Sequence, residues 1–416
     1  MTDLTGAGPE PVPAGGAAHP ESGPRHAEAA PAPVFDVDLA PFTTLRVGGP
    51  AERLLTATTE QELLDAARET WAEGGEWAVL GGGSNVVVAD GGVEGTVIRA
   101  ATRGIAPVMA KLGHVRLRVQ AGEPWDELVR HTVENGWSGI EALSGIPGSV
   151  GAAPIQNIGA YGQEVASAIV SLDFLDAATG RVRRMPVEEL ELSYRSSVFK
   201  RGLRGVVLSV TFELDDARGE GAGSVALSRP VEYAQLASAL GIEVGERLPL
   251  AEVRRAVLWL RSSKGMQLAD DDPDSVSAGS FFTNPIVTEH FARTLPASAP
   301  RWQIEPEEPD TVVALEDGME IALDGDRSPK ARPAEYRVKL SAAWLIEHAG
   351  IRRGFSLPGS TAAVSSKHTL ALVNTAPATG GLAADVAELA RYVQNRVAAE
   401  FGVVLQPEPV FLGHQL

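Results

Sequence analysis

Glu76-Trp-Ala-Val-Leu80-Gly-Gly-Gly-Ser-Asn85 is the stretch on which the fold turns. Its first half, aromatic and aliphatic, reads as a strand. Gly81, Gly82 and Gly83 then leave that strand and allow φ > 0 conformations closed to other residues. Successive N–H groups in such a turn converge on one concavity and bind a pyrophosphate without any cation. Ser84 and Asn85 add side-chain hydrogen-bonding groups. The residues alone fit a tight strand-to-strand turn equally well. There is no G-x-G-x-x-G opening a helix and no P-loop lysine, so this is neither a Rossmann fingerprint nor a Walker loop.

A second glycine-rich run follows at Ser144-Gly-Ile-Pro-Gly-Ser-Val-Gly151 and Pro154-Ile-Gln-Asn-Ile-Gly-Ala-Tyr-Gly162. It is too long and too poor in charge to be a surface linker held by solvation. Its glycines permit close backbone approach to something flat or extended. A buried structural loop would look similar, but two such loops make that reading less attractive.

Outward from these loops, Thr58-Thr59 and the acids after them cap a helix with Leu63, Leu64 and Ala67 on one face, ended by Gly74-Gly75. Strands are expected at 86–88, 96–98, 115–119, 169–175 and 205–214, and helices at 124–135, 231–240, 250–261, 340–348 and 383–401. In the last helix Val386, Leu389, Val393 and Val397 form the apolar stripe, and a short strand at 406–412 closes the chain. Residues 1–34 hold almost nothing to bury and read as a disordered tail. Asp215–Ser224 reads as a linker, and the Pro-rich, acidic 296–334 as a surface insertion.

The chain has 416 residues, 44% hydrophobic, enough for two or three cores, and its 44 Gly and 28 Pro argue against a helical bundle. A formal charge of −18 gives no overall attraction for nucleic acid or anionic lipid, so no nucleic-acid or membrane partner is expected. With no cysteine, disulfides, zinc thiolates and catalytic thiols are excluded. No basic-then-apolar leader opens the chain and no 18 apolar residues run together, so a soluble, cytoplasmic protein without an obligate protein partner is expected. The eight histidines show no metal-ligand spacing, no metal is expected, and His348, on an apolar helix, is expected in the core.

On Leu80–Asn85 and Ile146–Gly162 the chain resembles the FAD-binding domain of the vanillyl-alcohol-oxidase superfamily, and within it the UDP-N-acetylenolpyruvoylglucosamine reductase family. The likeness runs from about Phe42 to Leu412. It implies an α+β architecture: a two-lobed FAD-binding domain over 35–225, an α+β substrate-binding domain over 226–400, and a strand within 401–416 returning to the site. It implies noncovalent FAD, with the pyrophosphate on Gly81, Gly82, Gly83, Ser84 and Asn85. The isoalloxazine would lie near the second run, at Ser144, Gly145, Pro147, Gly148, Gly151, Asn157, Gly159, Ala160, Tyr161 and Gly162.

The resemblance also assigns chemistry. Leu192–Lys200 matches the segment whose arginine contacts substrate, giving that role to Arg195, with Tyr194 beside it and Ser196 where the family often has Asp. Ala278–Pro285 matches the segment of the proton donor, which falls on Ser280, with Gly279 and Asn284 as substrate contacts. Gln406-Pro-Glu-Pro409 matches the segment whose carboxylate completes the site, giving Glu408. Tyr233, Arg261 and Lys264 would meet the UDP part of the substrate. The implied reaction is NADPH-driven reduction of UDP-N-acetylglucosamine enolpyruvate. Two alternatives stand beside it: a flavin oxidase of the same superfamily acting on an alcohol or sugar, and a flavin-binding regulator without catalysis.

Overall fold

Pro50–Ala57 and Val93–Ala100 pair in parallel at the centre of a four-stranded sheet, flanked by Val34–Asp38, antiparallel, and Trp77–Leu80, parallel. The computed structural model describes residues 30–218, 225–304 and 336–413, so most of the expected tail and insertion lie outside the described residues. Helix Glu60–Glu73 starts where Thr59 accepts from the Glu62 amide and the Glu62 side chain reaches back, a reciprocal capping box. Its buried Leu63, Ala66 and Ala67 pack with Leu55 and Ile98 of this sheet and with Val206 and Leu208 of the next. One helix therefore joins two lobes.

The second sheet is antiparallel, in the order Val182–Pro186, Ile169–Asp176, Gly205–Asp216, His114–Gln120, Ile105–Val108. Period two governs it: Leu117 and Val119 point into the core beneath helix Trp125–Glu134, while Arg116 and Arg118 pair with Glu213, Glu60 and Asp173 on the other face. Asp215 and Asp216 belong to the long strand rather than to the linker expected there, because Ser138 and Trp137 pair with them.

Downstream, residues 226–400 hold two apolar clusters. Helices Ala234–Leu240 and Leu250–Ser262 pack together against Ala142. The rest forms two three-stranded antiparallel sheets under helices Ala342–His348 and Ala383–Phe401. Val386, Leu389, Val393 and Val397 are all buried there, and Leu45, Val47 and Val87 of the first lobe share that core. Arg301–Ile304, inside the segment read as an insertion, is an edge strand on Arg337–Leu340. His348 departs from expectation: it is exposed, its ring stacked 3.8 Å from that of Trp344 and its Nδ1 2.9 Å from the Trp344 carbonyl. A polar ring one turn along the helix satisfies itself locally and has no need of the core.

Candidate active site

The first glycine run forms a cradle by a route different from the one expected. Only Gly83 takes φ > 0, at +61°; Gly81 and Gly82 do not. Gly82 is required by approach instead, since a Cβ there would stand 2.6 Å from the Cα of Gly148. The two glycine loops touch backbone to backbone. Ser84 Oγ donates to the Pro147 carbonyl at 3.0 Å, a cross-link between loops rather than a free group. No acceptor among the described residues takes the amide N–H of Gly81, Gly82, Gly83, Ser84 or Asn85. A run of unclaimed donors where no side chain can intrude fits an anionic linkage such as a pyrophosphate.

Arg195 sits in the left-handed region at φ +52° and spends its guanidinium on three acceptors. Nη1 donates to the Asn157 carbonyl and Nη2 to the Gly159 carbonyl, both at 3.1 Å. Nε meets Glu408 Oε1 at 3.0 Å in an ion pair whose side chains are 22% and 13% exposed. Ser196 takes no part; its hydroxyl accepts from Arg201. The Arg195 partners are thus the second glycine loop and the C-terminal carboxylate.

Ser280 closes the strand Ser277–Ser280, whose pairing shifts register between Ser277↔Val373 and Ser280↔Ala371. Gly279, at φ +76°, supplies the bulge, which re-aims the following side chain. The Ser280 hydroxyl has no hydrogen-bond partner among the described residues and lines the cavity. Glu408 N donates to the Phe281 carbonyl at 2.9 Å, and Thr283 N to Gln406 at 3.0 Å, so the segments carrying Ser280 and Glu408 run side by side. Phe281 and Phe282 beneath them are fully buried core.

One cavity of about 420 Å³ is lined by Gly81–Asn85, Pro147, Gly148, Gly159, Ala160, Tyr161, Arg195, Tyr233, Arg261, Lys264, Gly279, Ser280 and Glu408. One wall is cationic. Arg261 is 8% exposed; Nη2 donates to the Met266 carbonyl at 2.6 Å, but Nε is buried without a partner. Burial lowers the Arg261 pKa, opposed by Tyr161 and Asp126. Burial, then Arg261, lowers that of Lys264, whose Nζ donates to Gln235 at 2.9 Å. Tyr161 and Tyr233 stand edge to face at 5.9 Å beside it. His368 also lines the cavity and is pushed down to about 4 by burial first, then by Lys264, Arg353 and Arg261.

Other residues expected at the site stand apart from this cavity. Tyr194 and Asn284 line a second one, of about 730 Å³, which shares Arg195 with the first. The Asn284 side chain accepts from Ala342 N at 3.0 Å. Ser144, Gly145, Gly151, Asn157 and Gly162 build the loop from behind: Asn157 Nδ2 donates to Glu164 and to the Ser193 carbonyl, and a Cβ on Gly151 would strike Ala121 at 2.6 Å. Sequence reading missed Gln156, Met266 and His368. Gln156 lay inside the quoted run, but nothing in its type or spacing announced the carboxylate it meets.

Comparison with known proteins agrees with the fold and with an FAD-binding part. A family model described as FAD binding domain matches residues 51–186, and one described as UDP-N-acetylenolpyruvoylglucosamine reductase, C-terminal domain, matches 271–412. The chain is 59% identical over 375 residues to the UDP-N-acetylenolpyruvoylglucosamine reductase of Leifsonia xyli subsp. xyli, covering 90% of this chain and 98% of that one. It is 47% identical to the enzyme of that name from Saccharopolyspora erythraea, covering 90% and 94%. Among solved structures it is similar to UDP-N-acetylenolpyruvylglucosamine reductase (MurB) from Thermus caldophilus, with TM-score 0.54, 26% identity, and coverage of 92% and 98%.

Proposed function

The chain belongs to the UDP-N-acetylenolpyruvoylglucosamine reductase family, and from that premise we propose that Arg195, Ser280 and Glu408 carry its reaction. The protein is an FAD-dependent oxidoreductase that uses NADPH to reduce UDP-N-acetylglucosamine enolpyruvate to UDP-N-acetylmuramate, a peptidoglycan precursor. Bound FAD, held noncovalently on the two glycine loops, supplies the hydride relay between nicotinamide and enolpyruvyl group.

The chain's own groups do the rest. Arg195, with one N–H on each Nη given to a carbonyl and its Nε ion-paired to Glu408, keeps a second N–H on each Nη to offer the substrate carboxylate. Beside Glu408 it stabilises charge developing on that carboxylate as the substrate becomes an enolate. The free Ser280 hydroxyl then delivers the proton to carbon; a weak acid suffices because the enolate is a strong base. Arg261 and Lys264, with Tyr233 opposite, hold the anionic UDP part. The observation that carries this reading is the convergence of the Arg195–Glu408 ion pair and an unpartnered serine on the cavity of the glycine loops.

The same reading divides the chain into an FAD-binding part over 35–225, a substrate-binding part over 226–400, and the returning C-terminal strand. Its partners are small molecules, and its work is cytoplasmic, where peptidoglycan precursors for cell shape and division are made. Among the described residues no helix is long and apolar enough to cross a membrane. The oxidase and regulator alternatives are not favoured. The test is anaerobic: NADPH should bleach the yellow protein and the enolpyruvyl substrate should restore the colour. Bleaching by an alcohol or sugar instead of NADPH, with recovery on admitting oxygen, would point to the oxidase, and bleaching by none of these to the regulator.

A further inference from the structure

We propose that Gln156 is a positioning residue for this reaction, fixing the orientation of the Glu408 carboxylate from within the second glycine loop. The inference rests on the role given above to Glu408. A directional chain of hydrogen bonds carries it. Asn85 Nδ2 donates to Gln156 Oε1 at 2.6 Å and to the Glu408 carbonyl at 3.2 Å. Gln156 Nε2 donates in turn to Glu408 Oε1 at 2.6 Å. Arg195 Nε reaches the same oxygen at 3.0 Å.

The amide donor and the guanidinium charge therefore converge on Oε1, and no hydrogen bond among the described residues reaches Oε2. The Gln156 amide cannot be turned over. Flipped, its NH₂ would face that of Asn85 and its carbonyl would face the carboxylate, two repulsive contacts in place of two bonds. Gln156 is 9% exposed, so water is poorly placed to substitute. The terminal torsion of a glutamate is broad, and Arg195 alone leaves rotation about one bond. The Gln156 hydrogen bond removes that freedom and presents Oε2 to the cavity. Misplacement of such a group by about 1 Å costs on the order of 10²-fold in rate. The other charge near Glu408 is Lys200, which faces the pair at longer range.

The test compares wild type, Gln156→Leu and Gln156→Glu by stopped-flow flavin absorbance without oxygen. Gln156→Leu should keep its FAD and bleach with NADPH within about 3-fold of wild type, while recolouring by the enolpyruvyl substrate slows roughly 10- to 100-fold. Gln156→Glu distinguishes positioning from packing. Two carboxylates sharing one contact hold one proton far above the ordinary range of about 4. Near pH 5 the protonated carboxyl introduced by Gln156→Glu would donate to Glu408 in place of the amide, so recolouring should recover toward wild type; at pH 8 it should match Gln156→Leu. The melting temperature of the apoprotein gives a second readout. The folded pKa is raised, so the variant's deficit against wild type should be small near pH 5 and grow as pH rises. A wild type that is not recoloured by the substrate overturns the functional reading and this inference with it. A wild type that recolours, with both variants matching it, overturns this inference alone. So does loss of FAD, or equal slowing of both half-reactions at every pH, in the two variants.

Discussion

Arg195 holds a left-handed backbone conformation that costs a non-glycine residue about 1–2 kcal/mol. Two hydrogen bonds donated by its guanidinium and the ion pair to Glu408 offset that cost, and together they aim it at the cavity. Ser280 carries the opposite signature, a hydroxyl with nothing to hold, and as the proposed proton donor it would separate the two halves of the reaction. Bleaching by NADPH needs no proton from it, so Ser280→Ala should bleach at nearly the wild-type rate. Recolouring should slow about 10²–10⁴-fold, roughly 3–5 kcal/mol of barrier. Equal slowing of both halves would point to a misfolded site, and no slowing of recolouring would remove Ser280 as the donor. His368 gives a pH-dependent prediction. Its folded pKa of about 4 lies below the ordinary 6.5, so the folded protein binds fewer protons between those values. The stability it contributes is therefore present above about pH 6.5 and lost as pH falls toward 4. The loss is on the order of 3 kcal/mol. His368→Gln should flatten the melting curve in that window relative to wild type, and an unchanged difference across it would show that the histidine titrates freely.

At the scale of elements, the glycine cradle rests on approach more than on backbone conformation. Gly82→Ala adds one methyl with no change of allowed φ, yet it would drive Cβ to 2.6 Å from Gly148 Cα, backbone against backbone. The loops must part, and the purified variant should carry less than about a tenth of wild-type flavin by absorbance, since a gap there forfeits many packing contacts at once. Full flavin content would mean the loops are free to separate. Helices with a clean apolar stripe were legible to within a residue or two: Ala383–Phe401 and Leu250–Ser262 follow their periodicity. Starts set by tertiary pairing were not. Val231 reads as helix but is held extended by its N–H to the Glu246 carbonyl at 2.9 Å, so the helix waits until Ala234. Leu340 likewise stays in a strand because Arg301 pairs with it from across the sheet. Of the site, the glycine runs and the three side chains proposed to react were legible from motif. The bonds joining them were not, because Asn85, Gln156 and Glu408 meet only through folding, 71 and 252 residues apart in turn.

Across the whole molecule, the last described residues complete the first lobe. Val410–Leu412 pairs in parallel with Val86–Val88, the strand that leaves the glycine cradle. Val410 N donates to the Asn85 carbonyl at 2.9 Å and Ala89 N to that of Leu412 at 2.8 Å, clamping the cradle from behind. The same segment holds Glu408 against Arg195. Removing the C-terminal segment and removing only its carboxylate should therefore differ. Truncation after Leu405 deletes the clamp and the ion pair and exposes Val87 and Phe281, which are buried beneath it. That protein should purify nearly colourless, with its melting temperature lowered by roughly 5–10 °C. Glu408→Gln keeps the backbone pairing and a neutral side chain of the same size. It should hold FAD, melt within a few degrees of wild type, bleach with NADPH, and lose about 10²-fold in recolouring because Arg195 loses the anion that positions it. A truncated chain that stays fully yellow would show that the glycine loops hold the flavin unaided. Loss of flavin from Glu408→Gln would place the carboxylate in cofactor retention, because the two variants share only the missing charge.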